Sequence, residues 1–294
     1  MEKKPLGVIL KEKGLITDDF INFALLEQKV TGEKLGEVLI RIGAVTDLEV
    51  AKALSEQTGF SFIDITTITP HPKALELLPF SFAKNNLVLP LSIENGTLNV
   101  AISDPFNLHL LSGIERITGR KINIYICGAQ SLSKGIEKYY YFKEHSLDDY
   151  FNALIERLRI NPNFEFNTEE LLNNILILGI SKKTTDLHLV PTSKSLQIFY
   201  RLDGILEPYL AFPYSVYRKL INIIKIRAQL DIAETRRPQD GRFSFTFLGS
   251  KYDLRVATAP TSFGEIVVIR YLPTGAHVQN LEYLGFDPDE VRLI

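Results

Sequence analysis

The sequence predicts a multidomain α+β protein, and three observations carry that prediction. Leucine–glycine pairs and helix caps recur at a spacing of 29 positions across residues 1–58. Period-two runs such as 97–101 and 121–127 read as strands and alternate with helix-like text through the rest of the chain. A helix-like run, 217–230, is followed by a charged stretch around Pro238 and then by strand-like text at 243–247.

Composition sets the limits. The 294 residues suffice for about two domains, and the balance of 45% hydrophobic and 23% charged residues is that of an ordinary folded chain. A net charge of -2 gives no global argument for nucleic acid. Cys127 is the only cysteine, so an intrachain disulfide or a cysteine zinc site is excluded. No apolar run approaches the ~18–20 residues that span a bilayer. The basic residues 1–5 lack the apolar core of a signal peptide. The expectation is a cytoplasmic protein that reaches a membrane only through partners.

In order along the chain, residues 1–58 form a duplicated helical module. Leu6-Gly7 recurs as Leu35-Gly36, Gly14 as Gly43, and Gln28 as Gln57. Gly14 stops the first helix, where positive φ costs glycine little, and Thr17 caps the next. Thr46 and Glu49 form a T-x-x-E capping box in the second copy. Residues 59–142 form an α/β subdomain. Strands are predicted at 60–65, 88–91, 97–101 and 121–127, with a hairpin at Asn95-Gly96. Helices are predicted at 72–78, from 103 through 114, and at 131–141. His71 and His109 are isolated, without a second metal ligand at useful spacing. Cys127 is expected as a buried apolar filler and the aromatics 139–142 as helix packing.

Residues 143–168, broken by Asn161-Pro162-Asn163, read as an interdomain connection whose middle forms an amphipathic helix. An α+β domain follows at 169–275. It has a helix over 168–180, strands at 186–190, 196–201 and 204–208, the helix 217–230, and strands at 242–247, 252–258 and 266–272. Pro238 ends the second helix, and Asp240-Gly241 is expected to turn the chain tightly into the next strand. Arg236, Arg237 and Arg242 then gather at one sheet edge.

The thirteen residues 230–242, L-D-I-A-E-T-R-R-P-Q-D-G-R, resemble the secretion-motor ATPases of type II secretion and type IV pilus assembly. In that family the stretch reads close to L-D-I-A-E-R-R-x-P-Q-D-G-R, so Thr235 departs from a common arginine. The segment 185–191 resembles S-D-I-H-I-E-P, with Thr185 and Val190 departing. The turn Arg201-Leu202-Asp203-Gly204 and the segments 254–256 and 264–270 match in order. The repeat at 1–58 resembles the cyclic di-GMP-binding N-terminal module of such motors, where each copy opens R-L-G. Here the arginine is Pro5 in the first copy and Lys34 in the second.

The resemblance implies the N-terminal half of a hexameric ATPase, with 276–294 as the start of the motor domain. It implies ATP and magnesium in the parent protein, but no phosphate loop G-x-x-x-x-G-K-[ST] occurs in this chain, which is expected not to hydrolyse ATP alone. No catalytic residue and no metal site is therefore expected here. Arg201, Arg236, Arg242, Arg255 and Arg270 are the implied contacts to ATP phosphates, the alternative being surface ion pairs with Asp203, Asp240, Asp253 or Glu265. His188 is expected to be a structural hydrogen-bonder. Leu6, Gly7, Leu10, Gln28, Lys34, Leu35, Gly36, Leu39 and Gln57 are the implied cyclic di-GMP contacts. Implied partners are further copies of the chain and the inner-membrane platform and cytoplasmic assembly proteins of a pilus or secretion machine. A stand-alone nucleotide sensor or adaptor without motor activity is the alternative.

Overall fold

The computed structural model describes residues 4–273, so the expectation for 276–294 lies outside the described residues. The chain forms two compact units, Met1–His145 and Ser146–Ile294.

The first unit opens with four helices, α1 (Leu6–Glu12), α2 (Asp18–Thr31), α3 (Leu35–Arg41) and α4 (Asp47–Thr58). They realise the repeat as a pseudo-symmetric bundle in which α1 packs on α4 and α2 on α3. The copies meet reciprocally. A Cβ on Gly7 would touch Leu35 at 3.5 Å, and one on Gly36 would touch Leu6 at 3.4 Å. Each leucine thus lies over the other copy's glycine. Thr46 and Glu49 close the expected capping box, whereas Thr17 caps α2 with backbone alone.

A four-stranded sheet follows, ordered β1 (Ser61–Phe62), β4 (Ile122–Ile126), β3 (Thr97–Ile102) and β2 (Val88–Glu94). The β2–β3 hairpin turns at Asn95-Gly96, both with positive φ, as expected. Alternation along β3 sends Leu98, Val100 and Ile102 into one core with α7 (Leu108–Thr118) and Ala101 into another with α8 (Ala129–Glu144). Two short helices, α5 (Pro72–Leu75) and α6 (Phe80–Asn86), precede the hairpin. Three expectations are corrected. The strand at 60–65 shrinks to two residues, the helix expected from 103 starts at Leu108 on the Asn107 cap, and α6 was not foreseen.

In the second unit, part of the expected connection is a packed helix, α9 (Leu147–Ile160), whose Phe151 stacks edge-on with Phe212. Then come α10 (Thr168–Ser181), β5 (Asp186–Pro191), β6 (Ser195–Leu202), β7 (Ile205–Pro213), α11 (Ser215–Ala228), β8 (Gln239–Phe247), β9 (Ser250–Thr261) and β10 (Gly264–Pro273). The sheet is antiparallel throughout, ordered β7-β6-β5-β10-β9-β8. Leu187, Leu189, Ile198, Tyr200, Val267 and Ile269 are buried on the face toward the helices. Tyr200 and Tyr271 donate across to the carbonyls of Ile175 and Leu176 on α10. Gly179 makes room for the Tyr271 ring, whose hydroxyl would stand 2.5 Å from any Cβ there. Alternation leaves the opposite face to the residues in between.

Candidate functional site

The charged stretch after α11 is folded by its own side chains. Lys225, 1% exposed on the core side of α11, pairs with Glu265 at 2.6 Å. The same ammonium donates to the carbonyls of Glu234 at 2.7 Å and Asp231 at 3.4 Å. Gln239 accepts from the Asp231 N–H and donates to the carbonyls of Asp231 and Glu234. Asp231 takes the Ala233 N–H, and Glu234 takes the Arg236 N–H. The acids and glutamine of L-D-I-A-E…P-Q therefore tie one loop shut. Arg236 and Arg237 stand exposed on that loop.

Asp240-Gly241 is not the expected turn. Both residues lie in β8, paired with Ala257 and Val256. Glycine is needed because any Cβ at 241 would collide with the Ala228 carbonyl at the end of α11. The reversal happens earlier, in the loop held by Lys225 and Gln239.

Across the open face the register aligns five charged residues. Arg242 lies opposite Arg255, Arg255 opposite Arg270, Arg270 opposite Asp186, and Asp186 opposite Arg201. At ~4.8 Å per strand this row extends roughly 19 Å. Arg270 Nε donates to Asp186 Oδ1 at 2.8 Å, and Arg201 Nε stands 3.4 Å from Oδ2. Thr185 donates its hydroxyl to Oδ2 at 2.9 Å. Burial pushes the Asp186 carboxyl up, but the bonds from Arg270 and Thr185 and the two cations outweigh it and hold it below the usual range. Arg242 and Arg255 form no ion pair among the described residues. Like charges directly opposite in a sheet are destabilising, so this row is a cost that packing elsewhere offsets. A shallow hollow lies over it, lined by Asp186, Asp240, Arg255, Ala257, Val268 and Arg270.

Four of the five predicted arginines thus share one row, while Arg236 sits in the preceding loop. The alternative ion pairs do not form as anticipated. Arg201 and Arg270 use Asp186, Glu265 is taken by Lys225, and Asp253 accepts from Ser244. His188 is held toward its neutral form by burial and by Arg201. Its buried Nε2 has no hydrogen-bond partner among the described residues, so the expected structural bond is not made there.

A second site lies in the first unit, a cavity of about 260 Å³ between α3, α4 and the start of α8. It gathers Leu6, Lys34, Leu35, Gly36 and Gln57 of the predicted set. Gly7 is buried beneath, Leu10 and Leu39 are fully buried in the bundle core, and Gln28 lies off the wall. Lys34 is paired with Asp104, and Gln57 donates to the Lys4 carbonyl at 2.9 Å. The sequence did not reveal Asp47, whose carboxylate accepts the Ala129 and Gln130 amides at 2.8 and 3.1 Å and so caps α8. Gly128 is required there, since a Cβ would strike that carboxylate. The equivalent acid of the first copy, Asp18, pairs only with Lys11. Cys127 is buried, and burial pushes its thiol far up, which keeps it inert. Among the described residues no cluster of His, Cys, Asp and Glu is built to hold a metal, and no helix is long and apolar enough to cross a membrane.

Comparison with known proteins gives two matched regions. The pattern for "Type II/IV secretion system protein" matches residues 165–294, and that for the "MshEN domain" matches 58–146. The chain thus carries an MshEN domain and a type II/IV secretion system protein region. It is 30% identical to the type IV pilus assembly ATPase PilB of Myxococcus xanthus, over 96% of this chain and 52% of the relative. It is 27% identical to type II secretion system protein E of Xanthomonas campestris, over 98% of this chain and 53% of the relative. The chain therefore spans about half the length of these two relatives. A solved structure described as "Structure of MshE with cdg" is 28% identical over 47% of this chain and 99% of that one, with a TM-score of 0.43.

Proposed function

We propose that this chain is the coupling part of a pilus-assembly or secretion ATPase, presenting arginines to the phosphates of ATP held by a phosphate loop outside its sequence. The observation that carries this reading is the row Arg242–Arg255–Arg270–Asp186–Arg201. Two of its guanidiniums have no counter-ion among the described residues, and polyphosphate is the dense anion that such forks bind. Magnesium would arrive with the nucleotide, because the oxygens of Asp186 are taken by Arg270, Arg201 and Thr185. Assembly into a hexamer and docking on inner-membrane platform proteins belong to the same proposal.

The test is a titration of tripolyphosphate, and then of ATP, into the 294-residue chain at two salt concentrations. Saturable, salt-sensitive binding is expected. The double variant Arg242→Ala, Arg255→Ala should bind roughly 100-fold more weakly, the size of two lost charge-assisted bonds. Equal binding by wild type and the double variant would remove the row as the phosphate site.

A second reading concerns the first unit. The cavity is mainly apolar and sets Leu6 of the first copy beside Leu35 and Gly36 of the second, which supports cyclic di-GMP as its ligand. At about 260 Å³ it falls below the ~300–1,000 Å³ that encloses a whole drug-sized ligand, so one guanine would enter and the remainder would lie outside.

A further inference from the structure

Among the described residues Asp186 is the one acid in register with the four arginines on the open face, Asp240 lining the same hollow opposite Ala257. Its side chain is 7% exposed and both of its oxygens are engaged. The two arginines that use them are unequal. Arg201 is 35% exposed and is also tied through Nη1 to the Gly204 carbonyl at 3.0 Å. Arg270 is 64% exposed and holds only Asp186. Moving Arg270 therefore unpacks little, and it leaves Asp186 with Arg201 and the Thr185 hydroxyl as compensation. Moving Arg201 would break a second bond and uncover more buried surface. Arg255, beside Arg270 and without an ion-pair partner among the described residues, is the natural first contact for an incoming anion.

We propose that Asp186 is a resident counter-ion standing where a phosphoryl group belongs, and that a polyphosphate docking on Arg242 and Arg255 takes Arg270 from it while Arg201 stays. The role assigned to Asp186 is that of a positioning residue. It keeps Arg270 extended along the row, at the cost of competing with the ligand. The inference rests on the reading of the row as a phosphate site, and its test separates the two.

Tripolyphosphate is titrated into the chain and into Asp186→Asn, with the arginine side-chain Nε–H signals followed by NMR. Asp186→Asn is expected to bind roughly 3- to 10-fold more tightly, because Arg270 no longer has to leave a carboxylate. In the wild type the Arg270 Nε–H signal should shift with binding, while that of Arg201 stays close to its starting position. If Asp186→Asn binds equally or more weakly while Arg242→Ala, Arg255→Ala abolishes binding, the row is a phosphate site and the counter-ion role is wrong. If wild-type Arg255 responds and Arg270 does not, the transfer is wrong in the same way. If neither wild type nor Asp186→Asn binds, both readings fall. Should Asp186→Asn melt too early to titrate, the wild-type Arg270 and Arg201 signals decide alone.

Discussion

Lys225 lies off the arginine row, yet the arginine loop depends on it. Its ammonium is buried against Glu265 and holds the carbonyls of Asp231 and Glu234. Lys225→Met should cost about 3–5 kcal/mol, because Glu265 would be left as an uncompensated buried charge. A double change of Lys225→Met with Glu265→Leu should recover much of that loss in a denaturant titration. Failure to recover would mean that the loop bonds, and not the ion pair, carry the effect. The sequence held a signal for this residue: Lys225 falls on the stripe of Ile221, Ile224 and Ala228, where a lysine has no place unless it is paired. The partner was not legible, because Glu265 lies forty positions away on β10. Gly241 shows the opposite case. Its identity was noticed, but its cause was misread, since Asp-Gly is common in turns and the Ala228 carbonyl that excludes a side chain is invisible in local text.

Among elements, the repeat was legible because its caps and glycines are local and doubled. The structure adds that the two copies are not equally tight. A Cβ on Gly36 would stand 2.9 Å from Val50, whereas one on Gly7 finds its nearest neighbours at 3.5 Å. Gly36→Ala should therefore lower the melting temperature of the first unit through ~1–3 kcal/mol of overpacking. Gly7→Ala should be neutral or slightly stabilising, since alanine gains ~0.5–1 kcal/mol over glycine inside a helix. Equal losses at both positions would show that the reciprocal leucine contacts matter less than described. The missed helix α6 follows Pro79, and 78–82 reads as a mixed apolar run with no helical period. The row of arginines was legible only as a set of residue types. Its alignment comes from register across five strands, which depends on pairings between segments far apart in sequence.

For the molecule as a whole, the question is whether the first unit senses a nucleotide. A calorimetric titration of cyclic di-GMP into the chain is expected to give micromolar binding, lost on Leu35→Ala, which strips the cavity wall beside Gly36. Asp104→Asn should tighten it, because Lys34 would no longer be held by that carboxylate. Absence of binding in both wild type and Asp104→Asn would rule out the second messenger and leave the apolar cavity without this ligand. The motif alone did not anticipate Asp104, which reaches Lys34 from 70 positions away, or the capping role of Asp47, whose partner Ala129 lies 82 positions along the chain.

Asp47 has a consequence for how the duplicated module can change over time. By capping α8 it commits the second copy to the rest of its own unit, so that drift in Asp47 or Gly128 damages two elements at once. The first copy carries no such obligation. Its helix α2 leaves Phe20, Phe23, Leu26 and Val30 in solvent, and Asp18 holds only a surface lysine. The copies are therefore under different constraint: the second is tied to α8 through Asp47, whereas in the first the exposed positions of α2 can change at little risk to the bundle core.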